Sequence, residues 1–213
     1  MSDISFINYY IDISGVPKQD KHGNYQKVIV ACASVNQFTI PEIIERMKTE
    51  FSGYWNKKGH RLNAGELEPI IDFMNKEEIR MITVQFDKPD WEKYKLKYSS
   101  EAHIEEKIMS ILYYYVLKKK SYKTSIYRAI IDFDTSFDIK ESITLLQRTA
   151  RERGYKFKTS FGYLEINEEI KLPDWIASAR KKIDDDTLNK YEHFVILKND
   201  LPPYNLNRAF KTL

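Results

Sequence analysis

Three features of the sequence predict an α/β fold with a mixed β-sheet, opened by a β-hairpin and flanked by helices on both faces. Apolar runs and helical periodicities alternate in the order ββα(α)βαβαβα, with two strand patterns in succession at the start. The second of these runs, VIVACASV, is apolar on both faces, as expected of a strand covered from both sides. The chain has 213 residues, 42% of them apolar, which suits one domain with insertions better than two. A single domain over 1–213 is therefore expected, with a helical insertion around 88–122 and a C-terminal extension over 184–213.

Ser5 to Ser14 is the first expected strand. Ile7, Tyr9, Ile11 and Ile13 alternate onto one face, while Phe6, Asn8, Tyr10 and Asp12 share the other. Because that second face is partly apolar, Asp12 is expected on a covered face rather than at an open edge. The stretch GVPKQDKHGNY has turn-forming composition and leads to the second strand, Val28 to Val35. Thr39, with Pro41 at the helix start and Glu42 three residues on, predicts a capped helix to about Tyr54. A glycine-bearing connection and a short helix from Ala64 to Asn75 follow, then a strand from Arg80 to Phe86. Helical spacing of Ile104, Ile108, Ile111, Leu112 and Tyr115 predicts a long helix from about Ser100 to Lys119. Further strands are expected at Tyr127 to Phe133 and Phe157 to Leu164, with a helix from about Ile139 to Arg153 between them. The segment IKLPDWIASARKKI reads as the last helix, and His193 to Leu197 as a short strand.

Composition narrows the function classes. A net charge of +3 is too small to announce nucleic-acid binding unless the charges cluster. The single cysteine, Cys32, lies in an apolar run, excludes a disulfide framework and reads as a small buried thiol. No apolar run is long enough to cross a bilayer and no leader pattern is present, so a soluble cytoplasmic protein with no membrane partner is expected. Neither a G-x-x-x-x-G-K-[ST] loop nor a G-x-G-x-x-G turn occurs, which argues against an NTPase or a dinucleotide enzyme. His22, His60, His103 and His193 lack zinc-site spacing.

Acidic residues stand where strands or helices reach a sheet edge: Asp12, Glu66, Asp132 and Asp174. Carboxylates from separate elements at one end of a sheet are the hard oxygen donors that Mg²⁺ or Mn²⁺ takes. Two such ions about 3.5–4 Å apart activate a water and stabilise the leaving oxygen of a phosphodiester. Each acid also has a plainer explanation. Asp12 before Ser-Gly is a common turn former. Asp174 in a first helical turn is favoured by the helix dipole, by about 0.3–1 kcal/mol. Glu66 could be a charge at a helix start, with Glu68 beside it. Asp134 could replace Asp132 as ligand or cap the following turn, and Asp87, which also ends a strand, is a third candidate for the same place.

The blocks IDISG (Ile11 to Gly15), LNAGEL (Leu62 to Leu67), IIDFD (Ile130 to Asp134) and LPDWIASA (Leu172 to Ala179) carry a resemblance. Together, in order, they resemble the motifs of a prokaryotic and viral family known as domain of unknown function 3800, within the RNase H-like (retroviral integrase) superfamily. The resemblance implies an RNase H-like fold and a nuclease that hydrolyses nucleic-acid phosphodiesters with two Mg²⁺ or Mn²⁺ ions. Asp12, Glu66, Asp132 and Asp174 would then be catalytic, binding the metals with Asp134 as a further ligand. Ile13 stands where the family usually has a second acid, and Lys171 or Leu172 replaces the usual glutamine before the last aspartate. Those departures leave a second expectation open: an RNase H-like module that binds nucleic acid or protein without cutting. Lys57, Lys58, His60 and Arg61 before Glu66, and Arg180, Lys181 and Lys182 after Asp174, are the expected phosphate contacts.

Overall fold

The computed structural model of the protein describes residues 6–14, 28–86, 126–132, 156–162 and 167–197. Its strands are β1 (Phe6–Ser14), β2 (Val28–Asn36), β3 (Arg80–Phe86), β4 (Ile126–Asp132), β5 (Lys156–Gly162) and β6 (Phe194–Leu197). The helices are α1 (Ile40–Glu50), α2 (Ser52–Trp55), α3 (Ala64–Lys76), α4 (Lys171–Lys182) and α5 (Asp185–Leu188). Short 3-10 turns cover Gly59–Arg61 and Glu168–Ile170. The strands form one sheet in the order β5-β4-β1-β2-β3-β6.

The sheet is mixed. β1, β2 and β3 run antiparallel in succession, with Tyr10 opposite Ala33 and Ala33 opposite Met81. β4 lies parallel to β1, and β5 parallel to β4. β6 closes the far edge parallel to β3, with Met81 beside Phe194, so part of the expected C-terminal extension joins the sheet. The opening hairpin and α/β character are thus as expected, and strand limits agree with the sequence within two residues or so.

The β1 alternation has the predicted consequence. Tyr10 lies in a core with Ala31, Ala33, Val35 and Met81 of neighbouring strands, beneath Ile43, Ile44 and Met47 of α1, Leu67, Ile70 and Ile71 of α3, and Trp175 and Ile176 of α4. Trp55 and Trp175 meet edge to face at 5.5 Å, as do Phe51 and Phe73, a geometry worth about 0.5–1.5 kcal/mol per pair beyond the area buried. The opposite face carries Tyr9, Ile11, Val30, Cys32, Ile82 and Val84, all buried yet outside that cluster. The described helices account for one of the two expected layers. Burial pushes the Cys32 thiol well above its ordinary pKa, in keeping with an inert core cysteine.

Two local details depart from the pattern read in the sequence. Thr39 precedes α1 but makes no side-chain cap; its hydroxyl donates to Asn36 O at 3.2 Å, because its backbone is already helical and turns the side chain back to the β2 end. The capping box belongs instead to α3. There Asn63 Oδ1 accepts from Glu66 N at 3.0 Å, and Glu66 Oε2 accepts from Asn63 N at 2.8 Å. The helices expected at 100–119 and 139–153, the insertion around 88–122, Asp87 and Asp134 all lie outside the described residues. Among the described residues no helix is long and apolar enough to cross a membrane.

Candidate metal and phosphate site

The C-terminal end of β1 is where the site begins. Asp12 is half-buried there, opposite Ala31 of β2. Ile11 pairs with Ile131 of the parallel strand β4. Continuing that register by one residue sets Asp12 beside Asp132, on neighbouring strands whose backbones are about 4.8 Å apart.

Helix α4 crosses the same face and packs on β1 and β2. Asp174, in its first turn, sits low enough that burial raises its pKa. The Gly59 N–H, then His60, Lys58 and Lys171, oppose that rise by favouring the charged form. The Gly59 bond is short: Asp174 Oδ2 accepts from Gly59 N at 2.7 Å. Gly59 is required there by close approach, since a Cβ would come within 2.4 Å of Ser178 Oγ and 2.7 Å of Asp174 O.

Lys181 lies seven residues after Asp174, two turns along the same face of α4. Its Nζ donates to Ser14 Oγ at 2.9 Å, and Ser14 shares a face of β1 with Asp12. Burial lowers the Lys181 pKa; against it, the charges of Asp12 and Asp174 act to raise it. The carboxylates of Asp12 on β1 and Asp174 on α4 are hard oxygen donors of the kind a divalent cation takes.

Glu66 is placed differently. Its Oε2 caps α3 and its Oε1 accepts from Lys57 Nζ at 3.4 Å. The backbone N–H of Asn63 is the main reason its pKa falls below the ordinary range, with Lys57 and Lys182 assisting. Among the described residues no group of three or more His, Cys, Asp and Glu side chains is gathered tightly enough to hold a metal. Asp132 thus stands next in register to Asp12, Asp174 is held by the Gly59 N–H, and Glu66 meets Lys57.

The expected phosphate contacts divide into two groups. Lys58, His60 and Arg61 are exposed on the loop that Gly59 ties to α4, and Lys57 Nζ stands 5.1 Å from the Tyr54 ring centre. The three basic residues in the last turn of α4 make contacts within the fold. Arg180 forks onto Asp185, with Nη2 to Oδ2 at 3.1 Å. Lys182 donates to the carbonyls of His60, at 2.8 Å, and of Leu62. Trp175 Nε1 reaches Lys57 O at 3.4 Å and completes the fastening of the loop to α4.

Gly59 and Ser14 escaped the sequence reading, and Lys181 entered it only as a phosphate contact. The seven-residue spacing from Asp174 to Lys181 was a usable signal that they share a helix face. No local pattern, by contrast, announces that a glycine will be pressed against a helix far along the chain. The chain matches no protein-family model and no curated protein.

Proposed function

We propose that the chain is an RNase H-like, metal-dependent nuclease that hydrolyses nucleic-acid phosphodiesters at the C-terminal end of β1. The observation that carries this reading is the strand register that sets Asp12 of β1 one step from Asp132 of β4, with α4, which bears Asp174, packed on β1. The hairpin-first mixed sheet agrees with the fold the motif resemblance implies. Asp12, Asp132 and Asp174 are the primary ligands in this reading. Glu66 is a fourth, reached if Lys57 yields a contact already longer than the usual 2.7–2.9 Å of a charge-assisted bond. Bound Mg²⁺ or Mn²⁺ would supply an activated water and offset charge on the leaving oxygen. The protein's own part is to set these carboxylates on rigid elements and to present Lys58, His60 and Arg61 to the phosphates alongside. Asp174, held by the Gly59 N–H, links those two tasks.

The test is cleavage of labelled DNA and RNA, in single- and double-stranded forms, with Mg²⁺ or Mn²⁺. Wild type should cut, and Asp12→Asn and Asp174→Asn should each lose activity while retaining wild-type circular dichroism. A well-folded wild type that cuts none of these substrates defeats the proposal. A second reading, a non-cutting nucleic-acid binding module, is favoured by one observation: both Glu66 oxygens are already engaged in the helix cap and with Lys57. It predicts binding in EDTA that survives Asp12→Asn and falls on replacing Lys58 and Arg61.

A further inference from the structure

Lys182 was expected to touch phosphate, but its ammonium turns inward. Nζ donates to the backbone carbonyls of His60, at 2.8 Å, of Leu62, and of Gly59 at a longer 3.5 Å. Those carbonyls take up the three N–H donors that a lysine ammonium has.

Lys182 does not hold the loop alone. Asp174, Ser178 and Lys182 follow one another at four-residue spacing on α4, so they line one stripe of the helix, about 12 Å from first to last. The 57–62 loop is fastened along that stripe. Asp174 Oδ2 accepts from Gly59 N at 2.7 Å, Ser178 Oγ stands where a Cβ on Gly59 would come within 2.4 Å of it, and Lys182 holds the carbonyls beyond. Trp175 Nε1 adds a bond to Lys57 O at 3.4 Å.

The carbonyls of Lys57, Gly59, His60 and Leu62 thus accept from α4, and that of Lys58 accepts from Arg61 N at 2.9 Å. Their negative ends are engaged within the protein. The side chains of Lys58, His60 and Arg61 are exposed, and among the described residues none of the three forms an ion pair. Like charges held close in a fixed loop repel one another, and an anion placed against them relieves that repulsion. A polyanion meeting a loop already fixed in this way is spared the entropy of ordering it.

We propose that Lys182 is a positioning residue for nucleic-acid phosphates: bonded inward to the carbonyls of residues 59–62, it holds Lys58, His60 and Arg61 in the arrangement that meets the polyanion and takes no phosphate itself. This rests on the nucleic-acid reading, in its cutting or its non-cutting form, and requires no bound cation.

The experiment measures binding of fluorescently labelled DNA and RNA oligonucleotides, single- and double-stranded, to the full chain by anisotropy, in EDTA and at low salt so that weak variants still bind. Lys182→Met should bind about tenfold more weakly than wild type, the scale of losing a loop's preorganisation. In a Lys58→Ala/Arg61→Ala background, itself weaker than wild type, the same change should cost less than about twofold, because the contacts it positioned are gone. A lysine that touched phosphate directly would cost the same factor in both backgrounds. Lys182→Gln, which keeps a donor for the carbonyls without the charge, should lose less than Lys182→Met, and it carries the same comparison of backgrounds if Lys182→Met does not fold. Wild-type affinity in Lys182→Met or in Lys58→Ala/Arg61→Ala, or an equal loss in both backgrounds, overturns the positioning role and leaves the nucleic-acid reading standing. A folded wild type that binds none of the oligonucleotides overturns both.

Discussion

Replacing Gly59 with alanine tests the joint between the basic loop and the last helix. The added Cβ would stand 2.4 Å from Ser178 Oγ, 2.9 Å from Ser178 Cβ and 2.7 Å from the backbone oxygen of Asp174. Two of these three partners belong to a helix backbone or its first side-chain atom, so neither moves easily. If the loop stays in place, overpacking costs about 1–3 kcal/mol. If it lifts, the 2.7 Å bond from Gly59 N to the Asp174 carboxylate is lost, at about 1.5–3 kcal/mol for a bond to a charged group. The protein takes the cheaper course, so the two do not add, and a loss of about 2 kcal/mol is expected either way. For a chain of this length that is a fall of roughly 4–8 °C in melting temperature. Thermal unfolding followed by circular dichroism reads it directly. Ser178→Ala provides the control, because the Ser178 hydroxyl is buried with no hydrogen-bond partner among the described residues and its removal alone should cost little. Combined with Gly59→Ala it removes the closest contact and should restore part of the loss. A Gly59→Ala protein that melts within about 1 °C of wild type, well inside the shift expected from the size–stability relation, would refute the close packing of loop on helix.

Other consequences are smaller or more local. Glu78 follows α3 with φ of 56°, in the left-handed region where a side chain is strained, while Ile79 N closes back on Met74 O at 3.0 Å. Glu78→Gly should therefore stabilise the protein by about 0.5–1 kcal/mol, visible as a higher urea midpoint at unchanged slope. Glu66→Gln should keep the α3 cap, since glutamine serves in a capping box, whereas Glu66→Ala should lose it. Because the folded-state pKa of Glu66 is lowered, its contribution is present above the unfolded value and lost as pH falls through the folded one. The stability gap between wild type and Glu66→Ala should thus be full at neutral pH and shrink below about pH 4, as read by denaturant titration across pH. Lys182→Met should release the 59–62 loop from its carbonyl contacts, seen as faster amide hydrogen exchange at Gly59, Arg61 and Leu62 with the exchange of α3 unchanged.

The β1 and β2 patterns were legible because the β period is two and both strands sit centrally, so burial writes itself into the order of residues. α3 and α4 were legible for the corresponding helical reason, and their ends carried proline, asparagine and acidic signals. The cap at Thr39 was misread because the sequence signal for a box cannot tell whether the residue's own backbone is extended or already helical. The carboxylates were legible only as residue types at element ends, and the register that sets Asp12 a step from Asp132 came from strand pairing. Glu66 illustrates the opposite case, as the local geometry of a helix start explains its position fully.

By itself the sequence determined the alternation of strands and helices, the covered face on which Asp12 stands, and the set of acids and bases available for chemistry. These follow from periodicity and composition, which act over a few residues. Only the tertiary structure decided which charges meet. It drew Lys181 away from Arg180 and Lys182 to Ser14, tied Asp174 to the backbone of Gly59, and turned Lys182 into a clasp for the 59–62 loop. The reason is geometric: successive residues on α4 point about 100° apart, so three adjacent cations look onto three different surroundings. Which surroundings they find depends on strands and loops distant in the chain, and no short stretch of sequence encodes that.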